Sequence, residues 1–284
     1  LLDLTGVDPT FLDVVDRVTT ELMAKSERLK SGEVLLVGAH CRDILQSAFG
    51  FEFPLRVTSD IDLGLAVANW AAYDELVTKL RPAGNTGIRF QVGQTIADLM
   101  PFGSVEDPPG TVAPTTRRAP ISVWGFTEVF AAALELRLPN AGTIRMPTAA
   151  GYAALKLAAW LDRSAYGEYK DASDIATVVY WYSRSPAVAT RLYETVQGQE
   201  LLVEEDLDDS ATAARLLGVD IADLIGAERL SEIVERWPAS PRGLLIHHMN
   251  VTNAADWPDS PERRQVLLRA VERGLRLGPE AAAW

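Results

Sequence analysis

Cysteine is all but absent from this sequence. Cys41 is the single thiol in 284 residues, so no intrachain disulfide and no cysteine-based zinc site can form. Histidine is scarce as well, with three. His247 and His248 are adjacent rather than one helical turn apart, and no Glu-x-x-His accompanies them, so a histidine metal centre is not expected. No apolar run approaches the ~18 residues that would suggest a membrane span. The opening segment, LLDLTGVDPTFLDVVDRV, carries acids where a signal peptide needs a basic stretch and then an apolar one. The expectation is a cytoplasmic chain with no membrane partner. Neither Gly-x-Gly-x-x-Gly nor Gly-x-x-x-x-Gly-Lys occurs, which removes the dinucleotide fingerprint and the P-loop. Basic residues are in deficit, 27 against 39 acidic, for a net charge of −12. Non-specific nucleic-acid binding is driven by Lys and Arg displacing counterions from phosphate. DNA is therefore not expected as a partner, and RNA would need a local basic patch. Arg263, Arg264, Arg269, Arg273 and Arg276 are the candidates for one, although Glu262 and Glu272 are interleaved with them.

What is present is a core-forming composition, 48% hydrophobic, without repeats or low-complexity stretches. Helical spacing of Phe11, Val14, Val15, Val18 and Leu22 predicts a first helix over residues 9–30. Val34–Val37 reads as a buried strand that runs through Gly38-Ala39 into a helix past Leu45. Ile61–Val67 reads as a second strand. WAAYDELVTKL reads as an amphipathic helix stopped by Pro82 and Gly84. Ile88–Val92 and Thr95–Met100 read as strands paired around Gly93, and a Pro/Gly-rich loop follows over residues 107–114. Further strands are expected around Ile121–Trp124 and Thr143–Met146. From Pro147 onward the pattern becomes alanine-rich and helical. The expected fold is α/β (α+β), a mixed sheet with flanking helices over residues 1–146. A helical domain over residues 147–284 is expected to complete the active-site cleft.

The chemistry concentrates in Ser59-Asp60-Ile61-Asp62-Leu63. On a strand, residues two apart share a face, so Asp60 and Asp62 stand together while Ile61, Leu63 and Leu65 turn to the core. Neighbouring carboxylates repel unless a cation intervenes. Magnesium suits them, because it takes hard oxygen ligands and leaves room for substrate phosphate. Asp98, flanked by apolar residues on a later strand, is the candidate third carboxylate. Gly38-Ala39, small residues between a strand and a helix, allow backbone N–H groups close to a phosphate.

These segments in this order resemble the DNA polymerase β-type nucleotidyltransferase superfamily, and more narrowly the AbiEii/MenT-type nucleotidyltransferases. The resemblance runs over roughly residues 34–182. It rests on Val37-Gly38-Ala39-His40-Cys41-Arg42-Asp43, Thr58-Ser59-Asp60-Ile61-Asp62, Asp98-Leu99-Met100-Pro101-Phe102-Gly103, the segment Lys156–Arg163, and Lys170-Asp171-Ala172-Ser173-Asp174. It implies nucleotide contacts from Gly38, Ala39, Arg42, Lys156 and Arg163, with Ala39 replacing a serine usual in the family. It implies Mg2+ on Asp60, Asp62 and Asp98. It assigns Asp171 either to accept the acceptor's proton or to orient Lys156. Lys156 lies in an otherwise apolar helix with Arg163 two turns on along the same face. Its replacement by alanine is expected to cost little stability, because no buried partner is evident.

The implied reaction transfers NMP from an NTP to an acceptor hydroxyl, with pyrophosphate leaving. The family includes toxins of toxin–antitoxin and abortive-infection systems, some acting on the 3′ end of tRNA. RNA and an antitoxin protein are therefore the implied partners. A small-molecule transferase of the aminoglycoside-modifying kind is the enzymatic alternative. A non-catalytic nucleotide- or partner-binding protein is the other.

Overall fold

A computed structural model of the protein describes residues 7–115 and 119–278. It is a mixed α/β structure. One compact unit ends at Thr148 and a second begins at Ala149.

In the first unit, Asp8 caps helix α1 (Pro9–Lys25) through its carboxylate, with Pro9 in the first turn where its missing N–H costs nothing. The helix stops at Lys25, short of the expected Lys30. The Ser26 hydroxyl accepts the backbone N–H groups of Arg28 and Leu29 and so offers the chain a turn instead. Strand β1 (Val34–Val37) is buried throughout and leads directly into α2 (Gly38–Ala48). There follow β2 (Asp60–Val67), α3 (Trp70–Val77), the short β3 (Arg81–Pro82), β4 (Arg89–Val92) and β5 (Thr95–Gly103). After these come the two-residue strands β6 (Thr111–Val112) and β7 (Ile121–Ser122), then α4 (Phe126–Ala131), β8 (Leu134–Leu138) and β9 (Gly142–Met146).

Seven strands form one sheet in the order β3-β4-β5-β2-β1-β9-β8, and β6 pairs only with β7. In the sheet β2 runs parallel to β5 and antiparallel to β1, while β9 runs parallel to β1. Ile61, Leu63 and Leu65 of β2 are fully buried. Gly64 leaves room for the rings of Phe102 and Phe126, which meet edge to face at 5.7 Å. Asp16, buried on α1, accepts the backbone N–H groups of Asn140 and Ala141 at 3.0 and 2.8 Å and so fastens the turn between β8 and β9 to the helix.

Helix α4 and strand β8 occupy residues for which the sequence suggested no element. The β8 signal was nonetheless present: Leu134, Leu136 and Leu138 alternate with Glu135 and Arg137 at the period of a half-buried strand.

The second unit is helical: α5 (Ala149–Arg163), α6 (Lys170–Arg184), α7 (Pro186–Glu194), α8 (Val196–Glu204), α9 (Asp209–Arg236, broken at Gly226), α10 (Arg242–His248) and α11 (Pro261–Leu275). Helices α9 and α11 approach through Gly218 and Gly274, where a side-chain carbon on either would lie within 2.2 Å of the other helix's backbone. Trp160, Trp181, Trp237 and Trp257 are all buried, as packing residues rather than platforms for bases. The indole of Trp160 donates to the Ser240 hydroxyl at 2.8 Å. Among the described residues no helix is long and apolar enough to cross a membrane.

Candidate functional site

The sheet register gathers the three predicted carboxylates. Asp60 and Asp62 are two apart on β2 and share a face. In the parallel β2–β5 pair Asp62 lies opposite Asp98, and paired residues of adjacent strands point the same way, so Asp98 stands on that face too. All three are partly exposed; Asp62 and Asp98 stand between buried strand neighbours, and Asp60 opens its strand between the exposed Ser59 and the buried Ile61.

Asp62 is also set against the opening of α2. Val37, the last residue of β1, pairs with Asp62, and the chain turns at Gly38 with φ +68°. A side-chain carbon at residue 38 would fall 2.0 Å from Asp62 Oδ2, so the Asp62 carboxyl fills the space that glycine leaves. A carboxylate at a helix N-terminus is favoured by the unpaired N–H groups there. Gly38→Ala is therefore expected to displace Asp62 and to cost about 1–2 kcal/mol from the left-handed backbone alone. Chemical denaturation reads the stability cost; a loss under about 0.5 kcal/mol would show that the turn tolerates a side chain.

The loop between α2 and β2 is pinned from below. Arg42, 1% exposed, donates from Nε and Nη2 to Asp43 Oδ1 at 3.0 and 2.8 Å and from Nη2 to the Arg56 carbonyl at 2.6 Å. Gln46 donates to the Phe53 carbonyl at 2.6 Å. This corrects the assignment of Arg42 to the nucleotide: its guanidinium is interior and spent on the loop, so it positions Thr58 and Asp60 indirectly. The Thr58 hydroxyl in turn donates to Asp60 Oδ1. That hydrogen bond, ahead of the opposing effect of burial and with help from the Arg89 charge, holds the Asp60 carboxyl below the usual carboxylate range. Its stabilising effect is present above the ordinary value of 3.8 and is lost as pH falls through the lowered value. His40, mostly buried beside this loop, is depressed chiefly by desolvation, and its Nδ1 has no hydrogen-bond partner. It lines a groove of about 810 Å³ with Phe11, Asp43, Phe51, Phe53 and Thr58.

Sequence reasoning missed Arg89. Its guanidinium donates from Nε to Asp98 Oδ1 at 3.0 Å and from Nη2 to Asp60 Oδ2. The signal was available for half of this contact. Counting outward from the Gly93-Gln94 turn pairs Val92 with Thr95 and hence Arg89 with Asp98. Among the described residues no three His, Cys, Asp or Glu side chains stand grouped as donors around one metal position. Between Asp60 and Asp98 lies the Arg89 guanidinium.

The donor chemistry nonetheless fits magnesium. Three carboxylates share one sheet face and offer the hard oxygen donors that magnesium takes, and Gly38 lets the Asp62 carboxyl lie where any other residue would displace it.

The second unit brings Lys156, Arg163 and Asp171 together in a cluster of its own. Lys156 Nζ lies 2.6 Å from Asp174 Oδ2 and 3.2 Å from Asp171 Oδ1, with the Tyr152 ring 5.3 Å away, and Arg163 reaches Asp171 Oδ2 at 3.5 Å. Asp171 is wholly buried and Lys156 nearly so. A buried carboxylate is out of reach of an acceptor hydroxyl, so of the two roles expected for Asp171 the proton-accepting one falls and the orienting one remains. Three of the five C-terminal arginines are engaged within the protein, while Arg269 and Arg276 are exposed. Arg263 pairs with Asp208, Arg273 with the buried Glu205, and Arg264 is buried against the Pro258 carbonyl.

Compared with known proteins, the chain matches no protein-family model, and no curated protein matches it significantly.

Proposed function

We propose that the protein is a magnesium-dependent nucleotidyltransferase whose reacting centre is the sheet face carrying Asp60, Asp62 and Asp98. One observation carries this reading: the β2–β5 register sets Asp62 opposite Asp98, with Asp60 two residues along on the same face, where a glycine turn opens a helix. Acidic groups on one face call for a cation, a place that Arg89 takes for Asp60 and Asp98 and that a phosphate-bridging metal could take instead.

Asp60, Asp62 and Asp98 would hold magnesium, which when bound neutralises phosphate oxygens and acidifies an acceptor hydroxyl. The protein's own groups do the rest. The N–H groups at the start of α2 donate to a triphosphate oxygen, and Ala39 contributes through its backbone alone because it has no hydroxyl. Thr58 holds Asp60 in one orientation, so little reorganisation is left for the moment of reaction. The acceptor we propose is a hydroxyl of RNA, as the resemblance to toxin-type enzymes implies, with an antitoxin as the protein partner. A small-molecule acceptor is the second reading, and the internal pairing of Arg263, Arg264 and Arg273 favours it.

Incubation with each labelled NTP, magnesium and total cellular RNA is expected to label RNA. Label appearing on an aminoglycoside and not on RNA would select the second reading. Asp62→Asn and Asp60→Asn are each expected to lower transfer by about a thousandfold or more, as loss of a group that stabilises developing charge does, while the fold persists. Wild-type rates in Asp62→Asn at saturating magnesium would remove the carboxylates from the mechanism.

A further inference from the structure

Arg89 is placed where it competes with a metal. It sits on β4 opposite Asp98 of β5 and reaches across that strand to Asp60 of β2. Crossing an intervening strand requires nearly the full length of an arginine side chain, since strands lie about 4.8 Å apart. One fork nitrogen takes Asp98 and another takes Asp60, so a single guanidinium serves two of the three proposed metal donors. The third, Asp62, is set instead against Gly38.

We propose that Arg89 is a built-in exchangeable cation: it neutralises Asp60 and Asp98 while no metal is bound, and it withdraws when a divalent ion takes those carboxylates. This rests on the reading of the carboxylates as metal donors. The chemistry favours exchange over coexistence. A guanidinium carries no lone pair to donate to a metal and keeps its charge at any working pH, so it leaves by moving and not by losing a proton. A divalent ion brings twice the charge and prefers hard oxygen donors. Arg89 has somewhere to go, because a third of its side chain already faces solvent. Its withdrawal is subtracted from metal affinity, so the site stays open to solvent cations only weakly until a nucleotide phosphate arrives with its own metal.

Mn2+ titration followed by electron paramagnetic resonance, on the full chain without nucleotide, tests this. Arg89→Gln is expected to bind Mn2+ about tenfold more tightly than wild type, the release of two partly exposed ion pairs. Asp60→Asn is expected to bind it more weakly than wild type. Without metal the thermal midpoint of Arg89→Gln should fall below that of wild type, and Mn2+ should restore it. Equal Mn2+ affinity in wild type and Arg89→Gln overturns the exchange while leaving the metal site standing. No Mn2+ binding by either protein removes the metal reading and the exchange together. Should Arg89→Gln fail to fold, Arg89→Lys serves: an ammonium cannot fork between both carboxylates, and tighter binding than wild type is again expected. Unchanged binding in that variant overturns the proposal.

Discussion

Lys156→Ala is expected to destabilise the helical unit by about 3–5 kcal/mol, the usual cost of removing one partner from a buried ionic cluster. The ammonium is closely flanked by Asp174 and Asp171, and both carboxylates are almost entirely inside. Without Lys156 both buried carboxylates lose the ammonium they share, and the half-exposed Arg163 stays near Asp171. Alanine's better helix propensity returns a few tenths of a kcal/mol and does not change the sign. Urea denaturation of the two proteins measures the difference. A loss under about 1 kcal/mol would mean that the carboxylates are solvated when the lysine is gone. Asp174→Asn added to Lys156→Ala should recover part of the loss, since it removes one of the two buried charges that Lys156 had neutralised.

The second large effect belongs to the crossing of α9 and α11. Gly274→Ala would place a carbon 2.0 Å from the Arg215 carbonyl oxygen and 2.9 Å from the Gly218 Cα. These are backbone atoms that no rotamer change can move, so the helices must separate. The expected cost is about 3 kcal/mol or more, at or beyond the top of the usual overpacking range. Gly243→Ala in α10 is the internal control. It has open space around the new carbon and should be neutral or gain about 0.5–1 kcal/mol. Thermal denaturation of both variants decides the matter. A Gly274→Ala midpoint equal to wild type would show that the two helices do not touch at that point.

These two cases also mark where sequence reasoning reaches its limit. Asp60, Asp62 and Asp98 were legible because strand alternation and strand order are local patterns. Their convergence needed only the correct pairing of β2 with β5. Lys156 was misjudged as inexpensive to replace for a different reason. Its partners, Asp171 and Asp174, lie one turn apart on the next helix, and nothing in the spacing within α5 shows which face α6 covers. Arg42 had the same difficulty: a basic residue in the first turns of α2 looks free for phosphate until the loop over residues 49–59 folds back onto it. Arg89 falls between the two. The hairpin turn at Gly93-Gln94 fixed its register with Asp98, whereas its reach to Asp60 depended on a strand about thirty residues earlier. Strand β8 was missed although its alternation is plain, because it follows a six-residue helix too short to display a period.

The position of β1 bears on how the chain is made. It lies inside the sheet, with β2 on one side and β9 on the other, and it is joined to β9 through Leu35 and Arg145. On a ribosome the first partner emerges within a few seconds and the second only after most of the unit has been synthesised. During that interval the apolar stretch Val34–Val37 presents an unpaired edge, a template for pairing with another nascent chain. Translation pauses before residue 142 prolong that exposure, so the vulnerable period of this fold is set by elongation rate as much as by the stability of the finished sheet.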